Sequence, residues 1–222
     1  MLWTILWDYS GWQVPIAIIG FLLAITIAFT VHEWAHAWAA YKSGDPTAKM
    51  MGRMTLNPRA HLEPMGTVMF LLAGIGWAKP VPVNPFNYRN FKKGNFFVSI
   101  AGVTTNLIIG FFASLLFYIT WRFGVLSHPG NLGIWGIYYF FMMLMFVNFA
   151  LMLFNLIPIY PLDGYNLLRS FTKPNNAYMQ FVRDRGQMLL MIMLLVMIFT
   201  NFIGRLAGWI SWLFIQMWGS MF

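Results

Sequence analysis

The sequence predicts an all-α integral membrane bundle of about 4–6 transmembrane helices, with one re-entrant or short segment and a small strand or extended element. Three observations carry this. Of the 222 residues, 59% are apolar and 9% charged, with 22 Phe, 17 Met and 11 Trp, whereas a soluble domain averages about 25% charged residues. Several apolar runs reach the roughly 20 residues that a spanning helix needs. The basic residues fall in the loops between those runs, as topology determinants do. One membrane-embedded domain over residues 1–222 is expected, with its core over 14–170 and a C-terminal membrane segment over 187–222.

Taken in order, the opening MLWTILWDYSGWQ has no basic stretch, and the first long apolar run ends in a polar cluster, so no cleavable signal peptide is expected. Residues 14–41 form the first span and close with Lys42-Ser43-Gly44-Asp45-Pro46, a helix stop. MMGRMTLNP, 50–58, alternates partially between turn residues and reads as a short strand or hairpin arm. PMGTVMFLLAGIGWA, 64–78, is 15 residues with three glycines, which suits a re-entrant or broken element better than a span. KPVPVNPFN, 79–87, holds three prolines and must be extended, neither helix nor interior strand. Residues 95–121 and 134–160 give two further spans. The tail, 187–222, is interrupted by Gly204-Arg205 and reads either as one long tilted helix or as a span followed by an interfacial helix.

The formal charge of +8 does not point to nucleic acid, because of where it lies. Lys42, Lys49, Arg53 and Arg59 share one loop; Lys79, Arg89, Lys92 and Lys93 another; Arg169, Lys173, Arg183 and Arg185 a third. The loop 122–133 holds only Arg122. If the three basic loops are cytoplasmic, 64–78 enters and leaves on one side and the N-terminus is outside. The absence of cysteine excludes disulfides and thiolate metal sites.

The polar cluster HEWAH, 32–36, ends the first apolar run. His32 and His36 are four residues apart and share one helical face, so both imidazoles can reach one Zn²⁺ while Glu33 stands beside it as a general base. The structural alternative is a histidine pair satisfied inside the bundle; an ionisable cluster in an apolar span favours function. A catalytic zinc site needs a third protein ligand. The candidates are Asp8, Asp45, Glu63, Asp163, Asp184, His61 and His128. Asp163 stands out because it follows a helix broken by Pro158 and Pro161, where freed backbone groups must be satisfied within protein or a wet cavity. A turn residue in L-D-G is its alternative reading.

HEWAH, AGVTTN at 101–106 and NLIPIYPLDG at 155–164 together resemble the three signatures of the site-2 proteases, the intramembrane zinc metalloproteases. GRMTLNPRAHLEPMGT (52–67) and AKPVPVNP (78–85) resemble the compact prokaryotic branch. The resemblance implies one Zn²⁺ held by His32, His36 and Asp163, with Glu33 as catalytic base. Asn155 matches the family's active-site asparagine, suited to bind a substrate carbonyl or oxyanion. Asn106 and Asn148 are weaker candidates for that role, interhelical hydrogen bonding being their alternative. Val103 replaces the usual proline of the second motif and Tyr165 a common glycine of the third.

The implied activity is hydrolysis of peptide bonds within or near transmembrane segments of a membrane-protein substrate, expected to be single-span, in the lipid bilayer of a prokaryotic cell membrane. The active site is expected toward the cytoplasmic side. Unwound substrate could add as a strand to the edge of 50–58 or 79–87. A metal-binding transporter or sensor is the alternative, but it has no need of an acid beside the first ligand. An inactive scaffold would not require an intact base and ligand set.

Overall fold

The computed structural model describes residues 2–73, 76–173 and 176–222, and every statement of number or absence below concerns these. A short helix α1 (Leu2–Asp8) precedes the long α2 (Gln13–Ser43). Apolar residues surround α2 on all sides, as in a helix packed by protein on one face and lipid on the other. Its 31 residues span about 46 Å, more than the roughly 30 Å hydrocarbon layer. Gly44 ends it in a left-handed conformation (φ 112°), its N–H turned back to the carbonyls of Ala40 and Tyr41.

A four-residue turn of helix, α3 (Thr47–Met50), and α4 (Pro64–Ala73) follow. The expected strand over 50–58 does not form. The chain there completes α3, turns at Gly52 (φ 67°) and enters a 3₁₀ turn at Pro58–Ala60 capped by Asn57. The Asn57 side chain and the prolyl start favour that turn over pairing, so the partial alternation misleads. A single antiparallel bridge between Leu62 and Ala78 is the β-structure present.

That bridge decides the path of 64–78. Helix α4 is about 15 Å long, half a hydrocarbon layer. The backbone on either side of it lies together, with Lys79 N–H donating to His61 C=O at 2.7 Å. The two ends of the segment therefore lie together, as a re-entrant path requires; residues 74–75 within it lie outside those described. Segment 79–87 is extended apart from a 3₁₀ turn at Pro85–Asn87.

Helix α5 (Phe91–Ile119) starts at an Asn90 cap and runs on through a π-helical turn, Thr120–Val125. Helix α6 (Leu132–Asn155) starts at an Asn131 cap. It stops five residues before the predicted 160, because Pro158 and Pro161 lack the N–H groups a helix needs. A short α7 (Asp163–Arg169) follows the break. Helices α2, α5 and α6 form the central bundle. Ala17, Ala24 and Ala28 are fully buried, as are the larger Phe21 and Phe149, so small residues let backbones approach where no hydrophobic drive separates protein from lipid.

The tail forms α8 (Ala177–Thr200) and α9 (Phe202–Met221), bent by 65°. The break is at Asn201 (φ 48°), three residues before the predicted Gly204. Gly204 matters differently: a Cβ there would overlap the Asn201 side chain. The Arg205 guanidinium takes the Thr200 carbonyl at 2.6 Å. Three helices, α2, α5 with its π turn, and α6, are long and apolar enough to cross a membrane, and α8 with α9 makes up to four. The count of three, or four with the bent pair, thus reaches the predicted range of about 4–6 only at its low end.

Candidate metal centre

HEWAH lies in the last third of α2, and α7 begins with Asp163, so the break after α6 sets the acid beside the two imidazoles. His32 Nε2 and His36 Nε2 are 3.0 Å apart. Asp163 Oδ2 lies 3.3 Å from the first and 3.2 Å from the second. Ligand atoms bonded at about 2.0–2.1 Å in a tetrahedral zinc site are themselves about 3.3 Å apart. His36 Nδ1 donates to the Val98 carbonyl at 2.8 Å, which leaves Nε2 as a lone pair. His32 Nδ1 faces the Asn106 amide oxygen at 2.5 Å, with the same consequence. Asp163 Oδ2 is buried and finds no hydrogen-bond donor.

Three potential ligand atoms therefore converge on one point, and two imidazoles with a carboxylate suit zinc. No other group of three or more potential ligands comes together among the described residues.

Helix α5 closes the back of the site. Asn95, Ser99, Gly102 and Asn106 recur at helical spacing and are all buried. Gly102 faces the imidazoles: a Cβ there would sit 2.5 Å from His32 Cε1 and 2.6 Å from His36 Nε2. Gly164 plays the matching part across the site, since a Cβ would overlap the carbonyls of Leu156 and Ile157 and open the turn that delivers Asp163.

The triad opens into a cavity of about 440 Å³, lined also by Glu33, Asn155, Val81, Leu190 and other residues. Glu33 Oε2 accepts the Val81 backbone N–H at 2.8 Å, so segment 79–87 crosses beside the carboxylate. Asn155 reaches the cavity from the end of α6, its amide donating to Leu151 C=O at 3.0 Å.

Of the residues singled out in the sequence, His32, Glu33, His36, Asp163 and Asn155 share this cavity. Asn106 and Asn148 do not line it. Both are fully buried behind His32 and hydrogen-bonded to each other, which takes their amides away from any substrate. The rival ligands are engaged elsewhere: His61 with the Thr55 carbonyl, Glu63 with the Gly66 N–H, Asp45 with the turn at 84–87. The Val81 N–H and Val98 carbonyl are backbone groups that no side-chain pattern reveals. The buried polar stripe on α5 was legible as a spacing of four, three and four in an apolar run.

The profile of peptidase family M50 matches residues 122–200. Proteins bearing the name "Putative zinc metalloprotease" are similar over most of the chain. YwhC of Bacillus subtilis (strain 168) is 40% identical over 161 residues, 72% of this chain and 73% of its own. Rip2 of Mycobacterium tuberculosis (strain ATCC 25618 / H37Rv) is 30% identical over 210 residues, 90% of this chain and 76% of its own. Rip2 of Mycolicibacterium smegmatis is 27% identical over 191 residues, 82% and 70% respectively. No solved structure matches the chain significantly.

Proposed function

The chain belongs to peptidase family M50, the site-2 type of intramembrane zinc metalloprotease, and on that premise we propose that His32, His36 and Asp163 hold its zinc ion and Glu33 is its catalytic base. One observation carries the assignment: Nε2 of His32, Nε2 of His36 and Oδ2 of Asp163 stand 3.0–3.3 Å from one another, the spacing of ligand atoms around one tetrahedral zinc.

Zinc held by His32, His36 and Asp163 would supply a water whose pKa falls to about 7. Glu33, adjacent in sequence to the first ligand and held by the Val81 N–H, receives the water's proton and returns it to the leaving amine. Asn155 donates its amide to the scissile carbonyl as negative charge develops. Its present bond to Leu151 C=O is within its own helix and is exchanged at little cost.

The substrate is a membrane protein met in the bilayer. Its helix hides the peptide bonds, so it must unwind, and the stretch 81–83 beside the cavity offers extended backbone for it to pair with. Segment 50–58 does not line the cavity. A single-span substrate, an outside N-terminus and a cytoplasm-facing site in a prokaryotic cell membrane complete the reading, supported by the charge of the loops. One domain over 1–222 performs it. A transporter or sensor is not favoured, since the relatives are proteases by name.

The test separates base from ligand. Glu33→Gln should retain zinc and lose cleavage of a co-expressed single-span substrate. Asp163→Asn should lose both zinc and cleavage in purified protein. Asp184→Asn, at an exposed acid paired with its neighbour Arg183, should lose neither. Stoichiometric zinc in Asp163→Asn, by elemental analysis, overturns the ligand assignment.

A further inference from the structure

We infer that Asn106 and Asn148 are positioning residues that fix the tautomer of His32, and so determine which of its nitrogens is offered to the metal. The inference rests on His32 being a ligand. Three helices supply the links. His32 Nδ1 on α2 lies 2.5 Å from Asn106 Oδ1 on α5. Asn106 Nδ2 donates to Asn148 Oδ1 on α6 at 2.8 Å. Asn148 Nδ2 donates to the Leu144 carbonyl at 2.7 Å, one turn back along α6.

The far end sets the direction of the whole chain. A backbone carbonyl only accepts, so Asn148 must turn its NH₂ toward Leu144. Its oxygen then faces Asn106, which must present NH₂ in turn. The Asn106 oxygen is left for His32, whose Nδ1 must carry the proton. Only Nε2 keeps a lone pair, and it is the nitrogen aimed at Asp163. An isolated amide can be turned over without notice. Here, reversing any one link sets two donors or two acceptors face to face.

Burial makes the arrangement strict. Asn106 and Asn148 are both 0% exposed, so losing a partner leaves a buried polar group unpaired, at a cost. Neither lines the cavity, so neither touches substrate. His36 achieves the same end through one link to the Val98 carbonyl, a group that side-chain substitution does not remove. The two ligands are thus oriented by different means, and only that of His32 is open to mutation. Loss of such an outer partner typically weakens metal binding 10–100-fold.

The experiment measures zinc affinity of the purified full-length protein by chelator competition, with thermal unfolding of the zinc-free protein beside it. Asn148→Leu should weaken zinc about 10–100-fold although it lies two bonds from His32. Asn148→Asp should bind close to wild type. Its carboxyl oxygen still accepts from Asn106 and so keeps the direction of the chain, and when protonated its O–H serves Leu144. Asn106→Leu should match Asn148→Leu.

A purely structural role predicts instead that zinc affinity tracks thermal stability; wild-type affinity in Asn148→Leu, or equal loss in Asn148→Asp, overturns the inference. Where the leucine variants do not fold, ¹⁵N imidazole shifts of wild-type zinc-free protein decide. His32 should be protonated at Nδ1, and an Nε2–H form overturns it. His32→Ala serves as control: if it retains full zinc affinity, the ligand assignment fails rather than the positioning chain.

Discussion

The Val81 backbone N–H donates to Glu33 Oε2 at 2.8 Å, across 48 residues of chain. If Glu33 is the base proposed above it must be aimed, and this bond aims it with a main-chain group that only proline at this position removes. The segment that carries it is itself tied at both ends. Upstream, Arg53 Nη2 donates to the carbonyls of Lys79 and Pro80 at 2.8 and 3.2 Å. Downstream, Asp45 accepts the Asn84 N–H at 2.6 Å. Residues 81–83 are thereby strung between two anchors along the cavity wall.

Val81→Pro removes that donor, together with part of a buried side chain that packs with Ala37 and Ala48. Val81 stands between Pro80 and Pro82, and a residue before proline already prefers extended backbone. The substitution therefore removes the donor within a stretch that is already extended. A hydrogen bond to a charged group is worth about 1.5–3 kcal/mol, which is about 10–100-fold in rate if it acts on the chemical step. Zinc content should be unchanged and kcat reduced by that factor. An unaltered kcat would mean that Glu33 is oriented without Val81.

Gly102→Ala tests how closely α5 backs the ligands. Its Cβ would lie 2.5–2.6 Å from atoms of both imidazoles, which are held by their own hydrogen bonds and cannot retreat freely. Zinc should be lost or severely weakened. Gly110→Ala is the control: its Cβ meets the Phe149 ring at 2.6 Å, away from the site. That overpacking should cost about 1–3 kcal/mol of stability and leave zinc in place. Zinc content and thermal unfolding, measured together, distinguish the two.

How much of this was legible depended on whether a side chain or a backbone atom did the work. His32, Glu33 and His36 declared themselves as a charged cluster in an apolar run, and Asp163 as an acid at a proline break. The polar cost of Asn106 and Asn148 was equally visible. Which way they faced was not, because a helical face can open to a cavity or to a neighbouring helix with the same spacing. Val81 and Val98 contribute main-chain atoms and leave no mark in the sequence. The misread strand at 50–58 has a different cause. Its alternation was real, but Asn57 and Pro58 had a local turn available at less entropic cost than a distant partner.

Asp45 offers a pH-dependent prediction outside the membrane spans. Its carboxylate is fully buried and accepts from Thr47 N–H and O–H, Asn84 N–H and the Asn87 amide. Burial pushes its pKa up, but the donors outweigh burial and hold it below the ordinary carboxylate value. A depressed folded pKa gives stability that is full above the unfolded value of about 3.9 and is lost as pH falls through the folded one. Asp45→Asn should cost about 1.5–3 kcal/mol at neutral pH and remove that part of the acid sensitivity. Denaturation in micelles at about pH 3 to 7 checks both, and parallel wild-type and variant curves would refute it.

The last prediction concerns the path of 64–78 relative to the membrane. Leu62 pairs with Ala78, and Lys79 N–H meets His61 C=O, so the loops before and after α4 are neighbours. Neighbours cannot lie on opposite sides of a bilayer. The two basic loops 42–63 and 79–93 should then share a compartment, and if α5 and α6, both long and apolar enough to cross, are spans, 123–132 lies in the other. The chain has no cysteine of its own, so single introduced cysteines report without background. Positions in 123–132 should react with an impermeant thiol reagent in intact cells. Those in 42–63, 79–93 and 161–186 should react only after permeabilisation. Labelling of 79–93 from outside, with 42–63 protected, would make 64–78 a full span and break the pairing on which the position of Val81 depends.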